Sequence, residues 1–355
     1  MIRDCDKSRD IFDELRETSA KAERLSLRAL IIQPGAIGDC LLTIPLARFL
    51  KASLGLGGVD LLAHMDYVGF YPNRTCIDAV RSIDTIDLHR LFAASKEYTV
   101  VDHDPLVTAF MDYSFIVSFL GEPNSDFESN LVYTVHCSRS ADVVVLPLRP
   151  PEQYDRHVAE FYCEAVTEQC ALLPNWRHQP LSEEVLLRST LSDEQEGRII
   201  LREAGIHDGT PLLLLHPGSG GAFKCWHTDN YIAIAEKMKS RHWAVAFLLG
   251  PAEEERMSPS VRSRLAAAGP VLCDLPLDKI VAVMSCSQAF VGNDSGVSHL
   301  AALMGIRTLT VFGPTRPSVY GPIGPSVQVF QADAKGFTEH ISLDIQQQIL
   351  AALLC

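Results

Sequence analysis

One construction recurs along this chain and limits its fold more than any other feature. A short apolar run breaks into a polar, glycine-bearing turn and resumes as an apolar helix. It is clearest where Ala289, Phe290 and Val291 lead into Asn293, Asp294, Ser295 and Gly296, followed by Leu300, Ala301, Ala302 and Leu303. A continuous apolar run of this length suits a parallel strand covered on both faces. Asn, Asp and Ser there are turn and N-cap residues. The same design appears at 28–33 with Pro34–Asp39, and at 211–216 with the turn 217–226. Repetition of strand, turn and helix predicts an α/β chain with doubly wound parallel sheets. Each such turn aims backbone N–H groups and a positive helix end at one spot, an arrangement that suits a phosphate as well as an ordinary connection.

In chain order, further strands are expected at 59–63, 79–83, 115–119, 131–135 and 143–146, then a helix at 154–171. The stretch from Pro174 to Pro180 breaks the pattern, and a charged helix follows at 181–202. The second half places helices at 229–240 and 277–285 and strands at 243–249, 271–273 and 308–312. A tail helix is expected at 343–354. The division read from this order is a helical extension at 1–27, a first domain at 28–180, a second at 190–335, and a tail, 336–355, turning back towards the first domain. The extension (helical over 7–25) is expected to dock on the body or on a partner chain.

Composition narrows the function. The chain has 355 residues, and its net charge of −13 argues against broad nucleic-acid binding or general attraction to an anionic membrane. No apolar run is long enough to span a bilayer. Residues 1–28 are too charged for a signal peptide, so a cytoplasmic location is expected, with at most peripheral contact at the inner face of the cytoplasmic membrane. The ten cysteines are scattered without C-x-x-C or zinc-ligand spacing and read as reduced thiols. Cys40, beside Asp39 at a helix start, is the one candidate for redox chemistry.

The loops carry the candidate chemistry. The first lacks both G-x-G-x-x-G and the P-loop pattern. What it offers is Asp39, either a cap or a base at the carboxyl edge of a sheet. The second domain supplies a glycine-rich cradle (Gly218, Ser219, Gly220), a cation (Lys224), a carboxylate (Glu253) and a helix start (Asp294, Ser295, Gly296). These are parts for a diphosphate and a ribose. Plainer roles compete. His216 can bond within its turn, His299 can be structural, Trp226 reads better as core than as an adenine stack, and Asp294 can be a simple cap. Asp102 and Asp104 read as a solvated loop before Pro105, not as a metal site. Trp176 reads as packing.

Three blocks, Gln33–Asp39 with Thr43 and Pro45, His216–Ser219 with Lys224 and Trp226, and Gly292–Gly296 with His299, resemble the lipopolysaccharide heptosyltransferases, glycosyltransferase family 9. Gly250-Pro251 with Glu253 and Gly313-Pro314-Thr315 also fit, in the same order, over about residues 28–335. The resemblance implies a GT-B fold, two Rossmann-like domains facing across a cleft. It also implies inverting transfer of a sugar from an ADP-linked donor, with heptose expected, to a lipopolysaccharide-core or other glycan or glycolipid acceptor, without a metal or other cofactor. By position it makes Asp39 the base, Lys224 the group that neutralises the leaving diphosphate and Glu253 the ribose ligand. Gly218, Ser219, Gly220, Asp294, Ser295, Gly296 and His299 complete the donor site. A nucleotide-sugar epimerase or hydrolase, and a catalytically degenerate nucleotide-binding member, stay open as alternatives. The sequence departs from the family on the acceptor side. His64, Arg74, Arg81, His89, Arg90 and Lys96 are interleaved with acids, and Glu122, Asp126 and Glu128 would repel an anionic acceptor if their segment lined the cleft.

Overall fold

The computed structural model describes residues 27–171, 173–174, 184–333, 337–338 and 341–354. The expected N-terminal helix and Trp176 lie outside them. Contacts divide the chain into two units. The first comprises 1–35, 43–150 and 159–177, and the second comprises 36–42, 151–158 and 178–355. The segment carrying Asp39 therefore groups with the second unit, although it follows the first strand directly.

The first unit is built on β1 (Arg28–Ile32), β2 (Gly58–Ala63), β3 (Ala79–Ser82), β4 (Phe115–Ser118) and β5 (Asp142–Val145). All neighbours are parallel, in the order β3-β2-β1-β4-β5. β2 is buried throughout, as a strand covered on both faces must be. The core on one side gathers Leu30, Ile32, Leu62, Phe110, Ile116 and Phe127.

The expected strand at 131–135 is instead part of the Asp126–His136 helix. A short apolar run does not by itself distinguish strand from buried helix. The local signals settle it: Ser125 caps the helix by accepting the Glu128 N–H, and Phe127, Leu131 and Val135 recur at i, i+4, i+8 on the buried face. Asp104 is also not the solvated residue expected. It is buried, caps the Pro105–Phe110 helix through Leu106 N–H (3.0 Å), and accepts Arg90 at 2.9 and 2.7 Å. The Arg90 guanidinium holds its carboxyl down at about 2.

The second unit contains β6 (Leu212–His216), β7 (Ala244–Leu249), β8 (Val271–Cys273), β9 (Ala289–Asn293), β10 (Arg307–Phe312) and β11 (Val327–Gln331). Its parallel order, β11-β10-β9-β6-β7-β8, is the dinucleotide-fold order 3-2-1-4-5-6 read from the other edge. β11 was not expected from sequence, because an edge strand with exposed glutamines lacks the apolar run that marks β6 or β9. The expected helix at 181–202 is shorter, Leu191–Glu203, with Thr190 and Asp193 forming a reciprocal capping box.

The Leu343–Leu354 helix, expected to return towards the first domain, belongs to the second unit's core. Ile345, Ile349 and Leu353 pack there with Trp226, Tyr231 and Ile234. Among the described residues, no helix is long and apolar enough to cross a membrane.

Candidate active site

Strand order reverses between β6 and β9, and ligands of doubly wound sheets bind at the carboxyl ends of such neighbours. The loops leaving β6 and β9 are sewn together there by Asn293, the last residue of β9. Its side-chain carbonyl accepts Trp226 N–H (2.9 Å) and the Tyr231 hydroxyl (2.7 Å). Its amide donates to the carbonyls of Pro217 (2.9 Å) and Gly218 (3.1 Å). The residue is fully buried, so these four bonds fix the glycine-rich loop to the strand end.

Asp294 is not the cap of the next helix. Ser295 is, accepting Ser298 N–H, and Ser298 in turn donates to the Asn293 carbonyl at 2.5 Å. The Asp294 carboxylate instead takes the Lys224 ammonium at 2.7 Å and the Thr315 hydroxyl at 2.8 Å, while its carbonyl accepts Ser219 Oγ at 2.6 Å. One aspartate thus joins the loops after β6, β9 and β10. Lys224 sits at the end of a single 3-10 turn, Ala222–Lys224, with its ammonium partly open to solvent.

Glu253 is buried and reaches back to accept the Gly250 N–H at 2.9 Å, capping its own helix, with Arg256 at 3.4 Å. Gly218 lies against that carboxylate so closely that any Cβ would overlap it. Arg256 also donates to the Ser219 carbonyl at 2.5 Å. These residues line a cavity of about 450 Å³ with Trp226, Met257 and Thr338 on its walls. Trp226 is at once core and cavity wall, packing edge-on to Tyr231. Gly220 has open space around it and joins none of these bonds.

His216 is buried and bonds the Leu248 carbonyl of β7 (3.0 Å) rather than its own turn; burial lowers its pKa. His299 is also buried. Burial, with smaller contributions from His157 and Lys224, outweighs the pull of Asp294 and lowers its pKa to about 4. Its Nδ1 has no partner among the described residues.

Asp39 lies in the first turn of the Ile37–Leu42 helix and accepts Ala36 N–H at 3.0 Å. This helix packs against Gly296–Leu303. A Cβ on Gly296 would meet Ile37 at 2.8 Å, and one on Gly38 would lie 3.6 Å from His299. Two helix starts are therefore pressed together, one carrying Asp39 and the other beginning the phosphate-type turn. Cys40 next to Asp39 is buried, and its thiol is pushed up to about 12 by burial and then by Asp39, which removes it as a reactive thiolate. Asn293, Thr315 and Arg256 were not singled out as site residues in the sequence. Their hydrogen bonds give them that place. Among the described residues no cluster of His, Cys, Asp or Glu could hold a metal ion.

Two doubly wound parallel units, one with this site at its switch point, make up the GT-B fold. The family model for glycosyltransferase family 9 (heptosyltransferase) matches residues 151–347, more than half of the chain, and the protein belongs to that family. It is 34% identical over 118 residues to lipopolysaccharide heptosyltransferase 1 of Pseudomonas aeruginosa, covering 33% of each chain. It is 25% identical over 187 residues to lipopolysaccharide heptosyltransferase 2 of Salmonella typhimurium, covering 51% of each. The chain thus spans a third to a half of the length of the curated relatives it matches. The structure of E. coli heptosyltransferase WaaC with ADP superposes with a TM-score of 0.62 at 16% identity, over 92% of this chain and 100% of that one.

Proposed function

We propose that the protein is an inverting, metal-independent glycosyltransferase that moves a sugar, heptose by family, from an ADP-linked donor to a lipopolysaccharide-core or other glycan acceptor. The observation that carries this reading is the packing of the Asp39 helix start on the Gly296 helix start within one unit. It brings a carboxylate base and a phosphate-type turn to the same neighbourhood. Asp39 takes the acceptor hydroxyl proton as that oxygen attacks the anomeric carbon, and the carbon–oxygen bond to the diphosphate breaks with its electron pair leaving on ADP. Lys224 and the N–H groups of the Ser295–Gly296 turn meet the charge that develops on the leaving group. The cavity beside Gly218, Glu253 and Trp226 is of a size for a nucleoside, with Glu253 the acceptor for ribose hydroxyls.

The test is product analysis after incubation with ADP-heptose and a lipopolysaccharide-core acceptor, with and without a chelator. Transfer with inversion, unaffected by chelator and lost in Asp39→Ala, is expected. Turnover by Asp39→Ala near the parent rate contradicts the assignment of the base, and sugar release or rearrangement without an acceptor favours a hydrolase or epimerase.

A further inference from the structure

A second cavity, about 470 Å³, lies wholly within the first unit, and its walls include Phe92, Phe119, Gly121, Glu122, Pro147 and Arg149. It opens where β4 and β5 end, the ligand-binding edge of such a sheet. The Phe119 N–H bonds the carbonyl of Ile32, the last residue of β1, seven residues before Asp39.

Phe92 is 54% exposed, yet it is held in place. Asn130, 2% exposed, donates to the carbonyls on either side of it, Leu91 (2.9 Å) and Ala93 (2.8 Å). The ring rests on Phe127, with centroids 4.8 Å apart. Gly121, at φ +83°, leaves no room for a Cβ against Phe127, so the opposite wall is tied to the same ring. A fixed, open aromatic face costs hydration free energy and offers a platform for an apolar ligand face.

Glu122 and Arg149 stand on the same cavity, and neither side chain has a hydrogen-bond or ion-pair partner among the described residues. One accepts and the other donates, which suits a polyol, and their charges cancel. Arg90, two residues before Phe92, is held by Asp104.

We propose that this cavity is a subsite for an uncharged pyranose ring, stacked on Phe92 with its hydroxyls shared between Glu122 and Arg149. That the ring belongs to the acceptor rests on the transferase reading; the sugar binding itself does not.

Saturation-transfer NMR on the full chain, with methyl mannoside, maltose and glucose 6-phosphate as probes, tests it. A neutral probe is expected to bind, at least fivefold more weakly in Phe92→Ala and in Glu122→Gln, with Phe92→Tyr restoring affinity and ADP titrations unchanged in all three variants. No signal from either neutral probe, a signal indifferent to Phe92→Ala, or tighter binding of glucose 6-phosphate would overturn the proposal. In transfer assays Phe92→Ala is expected to raise acceptor KM without altering donor KM, and a fall in kcat alone contradicts an acceptor subsite. If the parent protein binds a neutral probe but not ADP, the transferase reading fails and the sugar site stands.

Discussion

Lys224 and Asp294 form a 2.7 Å ion pair across seventy residues of chain, at the point where the loops after β6 and β9 meet. Thr315 adds a hydroxyl to the same carboxylate oxygen. The pair fixes the direction of a flexible ammonium, and a positioned cation is worth more to a diphosphate than one that must be ordered on binding. Replacing Thr315 with Val leaves Lys224 in place but removes one restraint. ADP affinity is expected to fall two- to fivefold in calorimetry.

Gly218 is required by the Glu253 carboxylate beside it. Gly218→Ala would force that buried group from its bond with Gly250 N–H. Overpacking of this kind costs about 1–3 kcal/mol. Urea unfolding should show that loss, and ADP binding should weaken as well. A variant with unchanged midpoint and affinity would mean that the loop yields freely.

Asn293 makes four hydrogen bonds in a site without solvent. Asn293→Ala strands two carbonyls, a backbone N–H and the Tyr231 hydroxyl. At about 1 kcal/mol per stranded buried group, the loss should reach roughly 4 kcal/mol in equilibrium unfolding. Asn293→Asp keeps the acceptor but loses the donors, and should fall between.

Much of this site was legible. The apolar runs ending at Ile32, His216 and Val291, each followed by a polar turn, correctly placed three strands and their loops. The capping residues Asp294 and Ser295 were read as a pair, but only contacts from elsewhere in the fold separate the cap, Ser295, from the lysine partner, Asp294. Residues 131–135 read as a strand in isolation because β-branched and aromatic side chains favour strands locally, whereas Ser125 and the packing of Phe127 decide for helix. β11 escaped because its pattern belongs to a sheet edge. The tail reads as a helix from its sequence, but what it packs on is set by the pocket that Trp226, Tyr231 and Ile234 leave for Ile345, Ile349 and Leu353.

Stability should fall on acidification through the site's histidines. The folded chain holds His299 near 4, whereas an unfolded histidine titrates near ~6.5. The unfolded state therefore takes up protons first. The contribution is fully present above about pH 6.5 and lost progressively as pH falls towards 4, by at most about 3 kcal/mol. His216 is shifted in the same direction by burial and adds to the slope. His299→Asn should flatten the dependence of urea midpoint on pH between 6.5 and 4. An identical slope in the variant would contradict the assignment.

On the proposed reading, the site around Lys224 and Asp294 binds the diphosphate of an ADP-linked donor without a metal. Calorimetric titration of ADP into the parent protein and Lys224→Ala, each with and without chelator, tests this most directly. The parent should bind ADP equally well in both conditions. The variant should bind about ten- to a hundredfold more weakly, as removal of a charge-assisted contact implies, with its thermal midpoint within a few degrees of the parent. Absence of binding in the parent, dependence on a divalent ion, or undiminished affinity in Lys224→Ala would contradict the account.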